Sequence, residues 1–291
     1  MDGLIYTLKH IKIKHSTFTK PLYINVFSDT HEDDSAHDSD GFLDFLKECR
    51  KTPKEDTYYL GLGDYHDLAS TSEKHAIRVA KLHSTTVEMF DEIAMQNNRR
   101  FCKKIEQMRG KLLGLIEGNH HWVYATDPGR GKTSTEDLCE RMECEYLGWL
   151  SYIILSIEAQ GKKITYDFVL CHGKGGGRRA GATINGVEDL KLIWPNADFY
   201  IMGDDHQRAA RPDSVFEVYV DSKGGITCRQ KKQLLCRSGS FVKSYVPGKS
   251  GFAMSKLMKP ANLWGLQLEL HTKREERGNK TTLKKRISAK V

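Results

Sequence analysis

Apolar residues along the chain gather in short runs, and most of these runs stop abruptly at Asp, His, Asn or Gly. Leu22-Tyr-Ile-Asn-Val-Phe27 leads into Ser28-Asp-Thr-His31, and Tyr58-Tyr-Leu-Gly-Leu62 into Gly63-Asp-Tyr-His-Asp67. Lys111–Ile116 passes through Glu117 to Gly118-Asn-His-His121, and Ile164–Leu170 through Cys171 to His172-Gly173. Asp198–Met202 meets Gly203-Asp-Asp-His206. Short apolar runs bounded by glycine and polar residues predict core strands. Polar clusters at the C-terminal ends of such strands are where layered α/β folds place ligands.

Helical spacing separates the strands. Gly41–Arg50 puts Phe42, Phe45 and Leu46 on one face. Ser72–Met108 carries Ile77, Val87, Phe90, Ile93, Phe101 and Ile105 as anchors, with Asn97-Asn98 as its expected weak point. A further helix is predicted from Thr133-Ser134, where Thr133/Glu136 and Ser134/Asp137 have capping-box spacing, to about Gly148. Beyond Trp149 the texture is strand-rich: Ser151–Ile157 and Ile164–Leu170 flank a hairpin turn at Gln160-Gly161, and Val215–Val220, Ile226–Leu235 and Leu263–Leu270 follow. Two mixed sheets packed face to face with helices outside would bury all these runs, which gives an α/β, four-layer αββα sandwich. The expected organisation is a single domain over residues 1–270 with a helical insertion at about 68–110, followed by a basic, flexible tail over 271–291.

Composition narrows the class. The chain has 291 residues, 39% of them hydrophobic, which is enough for a core and excludes general disorder. No apolar run approaches the roughly 20 residues that span a bilayer, and the N-terminus lacks the pattern of a secretory signal, so a cytoplasmic location without membrane contact is expected. Seven cysteines with no CxxC pair read as reduced residues, not as a zinc knuckle. The net charge of +7 is concentrated: His271–Val291 holds eight Lys/Arg against two Asp/Glu, leaving the rest of the chain near neutral. Such a tail either neutralises phosphates or serves as a solvated end.

Five polar clusters in a fixed order carry the chemistry. Asp29-x-His31, Gly63-Asp64-x-x-Asp67, Gly118-Asn119-His120, His172 and Gly203-x-x-His206 together resemble the calcineurin-like metallophosphoesterase superfamily, over residues 22 to 210. The stretches His172–Arg178 and Arg237–Tyr245 are similar to phage-encoded members. Alternation in Asp29-x-His31 lets both side chains point into one cavity, and Asp64 is the candidate bridging carboxylate. The resemblance implies two divalent cations, one held by Asp29, His31, Asp64 and His206, the other by Asp64, Asn119 and His172. It implies hydrolysis of phosphate esters by in-line attack of a hydroxide shared by the cations, with no covalent enzyme intermediate. His120 is the candidate proton donor to the leaving oxygen, and Asp67 would orient it and favour its imidazolium form.

One departure matters. The family's last block reads Gly-His-x-His, whereas this chain has Gly203-Asp-Asp-His206. Asp204 either ligates through oxygen, favouring Mn²⁺ or Mg²⁺ over Zn²⁺ or Fe, or hydrogen-bonds a neighbour and leaves the second metal weak. The position often acidic in the family is His121, whose part stays open. Lys174, Arg178 and Arg179, after His172, are candidates to grip a substrate phosphate, with a solvated loop as the alternative. Asp127–Thr133 ends like a phosphate-binding loop but has Thr at position 126 where that motif needs glycine, which argues against an ATPase. The expected substrate is a phosphodiester, with DNA suggested by the basic tail and the phage-like stretches. A phosphomonoesterase or protein phosphatase is the enzymatic alternative, and a non-catalytic binding module on the same fold is the alternative of another class. Protein partners are unreadable from the sequence.

Overall fold

The five polar-ended runs form strands, and their apolar residues sort to two sides as the two-residue strand period requires. A computed structural model describes residues 5–80, 82–125, 131–173, 175, 179–221, 223–248, 252–255, 257–277 and 280–291. The elements are β1 (Tyr6–Lys14), β2 (Leu22–Phe27), α1 (Ser39–Cys49), β3 (Thr57–Gly61), α2 (Thr71–Val79), α3 (Ser84–Lys104), β4 (Leu112–Leu115) and α4 (Ser134–Met142). They continue with β5 (Glu145–Tyr146), β6 (Leu150–Ala159), β7 (Lys162–Cys171), α5 (Ala180–Ile193), β8 (Phe199–Met202), β9 (Arg208–Val220), β10 (Ile226–Ser238), β11 (Leu266–Arg277) and β12 (Lys280–Lys290). One sheet has the order β1-β6-β7-β8-β10-β9 and the other β12-β11-β2-β3-β4-β5. Both mix parallel and antiparallel pairs.

The core lies between the sheets. In β7, Ile164, Tyr166, Phe168 and Leu170 face it, while Val169 and Cys171 turn outward against Val187 and Leu190 of α5. Phe168 stacks on Phe199 of β8 at 4.6 Å between ring centres. From the other sheet come Ile24, Val26, Leu60, Leu266, Leu268 and Leu270. Its outer face is covered by Phe42, Phe45 and Leu46 of α1, Phe101 of α3 and Leu138 and Met142 of α4. The layers are therefore helix, sheet, sheet, helix, as the sequence predicts. The seven cysteines are unpaired.

Several expectations need correction. Asn97-Asn98 does not loosen the long helix. Both lie buried inside α3, and the interruption falls between α2 and α3. The helix starting at Ser134 has the predicted Thr133/Glu136 capping box but ends at Met142, because Glu143 adopts a left-handed φ of 55°. α5 is a further helix: its glycines and β-branched residues hide the helical period, and tertiary packing imposes it. β1 is a further strand, at the edge of its sheet, where apolar residues alternate with Lys and His.

The expected flexible tail is a strand. β12 pairs antiparallel with β11 from Gln267↔Lys290 to Arg277↔Lys280. Leu283, Ile287 and Ala289, at alternate-face positions, pack on the core. Lys285 shares that face and is neutralised by Asp198 at 2.7 Å, itself 2% exposed. Composition signalled a solvated end, but the period of two and a buried counter-charge prevail. Removing residues 280–291 should lower stability by roughly 2–5 kcal/mol, the loss of three partly buried apolar side chains. Denaturant unfolding measures this, and an unchanged midpoint would restore the flexible-tail reading.

Candidate metal centre

All five clusters sit where β2, β3, β4, β7 and β8 deliver their C-terminal ends. β2, β3 and β4 run parallel, as do β7 and β8, so their ends share one edge of the sandwich. Main-chain pairing continues past the strands: Asp29 N donates to Gly63 O, His31 N to Asp64 O and Glu32 N to Tyr65 O, each at 3.0 Å. The loops carrying the first two clusters are thereby fixed to each other.

Holding the side chains inward strains the backbone. Asp29, His31, Asp64, Asp204 and His206 have φ of 51°, 39°, 49°, 64° and 52°. They are five of the nine non-glycine residues with positive φ among the described residues. Left-handed backbone outside glycine is uncommon and concentrates at functional sites. Glycine gives the room: a Cβ on Gly118 would lie 2.0 Å from Asp64 Oδ1, and one on Gly63 would meet His172 Nδ1 at 2.5 Å.

The ligand atoms converge. Those of Asp29, His31 and His206, those of Asp29, Asp64, His172 and Asp204, and those of His31, Asp67 and His120 form three groups, each within 4.8 Å. Around His172 Nε2 lie Asn119 Oδ1 at 2.9 Å, Asp64 Oδ2 at 3.1 Å and Asp204 Oδ1 at 3.6 Å. His206 Nε2 is 3.4 Å from Asp29 Oδ1, and His31 Nε2 is 3.7 Å from Asp64 Oδ2. Asp29 Oδ1 and His31 Nε2 are buried without a hydrogen-bond partner. Buried polar atoms are normally satisfied, so two orphans inside one carboxylate–imidazole cluster fit a cation. Asp204 belongs to the cluster. Asp67 stands at its rim, with Oδ1 3.3 Å from His31 Nδ1 and 2.5 Å from His120 Nδ1.

Charge coupling follows from this geometry. Burial pushes the Asp29 and Asp64 pKa values up, but His206 and His172 respectively outweigh it and hold both carboxyls below their ordinary range. Asp67 is held low chiefly by the hydrogen bond from His120 and then by His31. Burial opposes charging of His172, His206 and His120, yet Asp64, Asp29 and Asp67 respectively win and raise all three.

Among the expected phosphate-gripping residues, Lys174 and Arg178 lie outside the described residues, and Arg179 precedes α5 as its N-cap. Residues 126–130 of the loop-like decoy also lie outside them. His121 is turned inward, with Nδ1 2.7 Å from Gly118 O, and so closes the Gly118–His121 turn. Sequence reading missed Ser28, which donates to Asp29 Oδ2, and Arg237, which is 1% exposed and donates to Gly203 O and Thr183 O. Neither carries a spacing signal. The Arg237–Tyr245 segment also supports Asp29, whose carbonyl accepts from Phe241 N at 3.0 Å.

No family model matches the chain, and no curated protein does. Among solved structures, it is similar to the crystal structure of Chaetomium thermophilum Vps29, with 11% identity over 93% of this chain and 98% of that one, at a TM-score of 0.31. A likeness that weak carries no argument about activity. The double-sheet sandwich and the strand-end clusters are features of this chain itself.

Two outcomes follow. Gly118→Ala should displace Asp64 and weaken Mn²⁺ binding by at least about tenfold. Titration calorimetry checks this, and unchanged affinity would refute the crowding. Metal binding should also release protons, because the imidazoles that the carboxylates keep charged must become neutral. Affinity should therefore rise with pH until the raised histidine pKa values are passed, by about tenfold per pH unit for each proton released. Calorimetry in buffers of different ionisation enthalpy reads the proton count.

Proposed function

We propose that the chain is a metal-dependent phosphodiesterase. The observation that carries this reading is the convergence of Asp29, His31, Asp64, Asn119, His172, Asp204 and His206 on one buried cluster, with orphaned atoms, at the floor of a cleft of about 1100 Å³. Asp29, His31, Asp64 and His206 would hold one divalent cation, and Asp64, Asn119, His172 and Asp204 the other. The donor set is rich in carboxylate and amide oxygen, which suits Mn²⁺ or Mg²⁺. Such ions, when bound, lower the pKa of water and offset the negative charge of a phosphate ester.

The protein's own groups do the rest. His120 lines the cleft beside Asn119, and its Nδ1 lies 2.5 Å from Asp67 Oδ1, which favours the imidazolium form. The proton on its other ring nitrogen, Nε2, would pass to the leaving oxygen. Val242, Tyr245, Val246, Pro247, Met254 and Met258 give one wall an apolar surface for an ester arm, and Lys259 also lines it. A cleft of about 1100 Å³ has room for two ester arms, which supports a diester over a monoester. The basic end of the chain is divided along the β11–β12 hairpin. Leu266 pairs with Val26 and Leu270 with Leu22, so β11 leads away from the site and Lys280 follows at its far end, whereas β12 runs back until Lys290 pairs with Gln267.

A Mn²⁺-supplemented assay on bis-p-nitrophenyl phosphate, p-nitrophenyl phosphate and labelled single- and double-stranded DNA tests the proposal. The diester should turn over faster than the monoester, and Asp64→Asn should lose at least about a thousandfold. Preference for the monoester would move the reading to a phosphomonoesterase. Mn²⁺ binding with no hydrolysis of any substrate would leave a binding module. His120→Asn should lower kcat by roughly a hundredfold and spare metal content. Loss of metal in that variant would refute the role of His120 as proton donor.

A further inference from the structure

The asparagine pair in α3 is buried where a helix usually presents apolar residues, and both side chains point at the loops of the metal centre. Asn98 Oδ1 lies 3.0 Å from His66 Nε2, within the Gly63–Asp67 cluster. Asn97, 3% exposed, donates from Nδ2 to Asp33 Oδ2 at 2.9 Å. Its own Oδ1 accepts from Arg100, which fixes the orientation of the amide. The other oxygen of the Asp33 carboxylate accepts the backbone N–H of Asp67 at 2.6 Å. Asp67 in turn contacts His31 and His120 through one carboxylate oxygen.

We infer that Asn97 and Asp33 form a positioning relay for the site. Asn97 fixes Asp33, Asp33 fixes the Asp67 main chain, and Asp67 sets the rings of one metal-ligand histidine and of the proton donor. Asp33 adds nothing to the core, since its side chain is 23% exposed and its neighbours are polar. α3 is already held by Phe101 and Ala94. One oxygen of Asp33 accepts from Asn97 and the other from the Asp67 main chain, with His66 Nδ1 3.9 Å from the latter, and hydrogen bonds to a charged acceptor are the stronger kind. A group one hydrogen bond removed from a metal ligand typically changes affinity or activity by ten- to a hundredfold. The kinetic part rests on the hydrolase reading above; the geometry does not.

The test separates the two. Asp33→Asn keeps size and one acceptor but turns an amide donor toward Asn97 Nδ2. It should lower kcat for bis-p-nitrophenyl phosphate about tenfold, with KM and metal content changed less than about threefold. The double variant D33N/N97D restores a donor–acceptor pair with the roles exchanged, and should recover most of kcat. A merely structural role would lower stability without such rescue. Independently of any activity, the Asp67 amide in Asp33→Ala should exchange with solvent at least about tenfold faster than in the wild type. Wild-type exchange at Asp67, or a double variant no better than D33N, would overturn the relay. If the wild type hydrolyses nothing, the proposed function fails, and the exchange measurement alone decides the relay.

Discussion

Two carboxylates, Asp29 and Asp64, are buried side by side at the edge of the sandwich, and the arrangement around them answers that placement. A lone buried carboxylate costs several kcal/mol, and two near each other cost more. Here His206 and His172 face them, so the cluster exists as an alternation of charges instead of a repulsive pair. A cation in the same space would take over the balancing role from the imidazolium protons. The same geometry that stabilises the charged cluster would let a cation displace those protons.

That convergence asks much of the backbone. Side chains from five strand ends cannot meet in one volume while every residue keeps an ordinary conformation, and the left-handed residues are the visible cost. The loops tolerate it because they are secured from outside the site. Main-chain ladders extend β2 and β3, Ser240 and Phe241 grip the Asp29 carbonyl, and buried Arg237 ties the Gly203 turn to α5. Glu32, beside the first cluster, is clamped by Lys104 of α3 and by His37. Strain at a functional centre persists where surrounding contacts over-determine it.

Much of this was legible in the residues because strand ends write plainly. Leu22–Phe27 forms β2 at the predicted bounds, and each expected ligand stands at the predicted strand end, since a sharp change from apolar to polar leaves little choice of where the chain turns. What stayed hidden depends on contacts distant in sequence. Asn97 and Asn98 look like helix weak points until partners more than thirty residues away are known. The basic end looks solvated until Asp198 is found beneath Lys285. Gly186 in α5 looks like a defect, yet a Cβ there would lie 2.8 Å from Arg237 Nη2. Local propensity was overridden at each of these places by a buried polar partner.

Two cations are proposed to gather about the Asp64 carboxylate in one pocket. Anomalous diffraction from crystals of the full chain soaked in Mn²⁺ tests it most directly. Two peaks are expected, one on the Asp29–His31–His206 side of Asp64 and one on the Asn119–His172–Asp204 side. A single peak on the Asp29–His31–His206 side would remove Asp204 from the ligands, and no peak between these residues would contradict the metal centre itself.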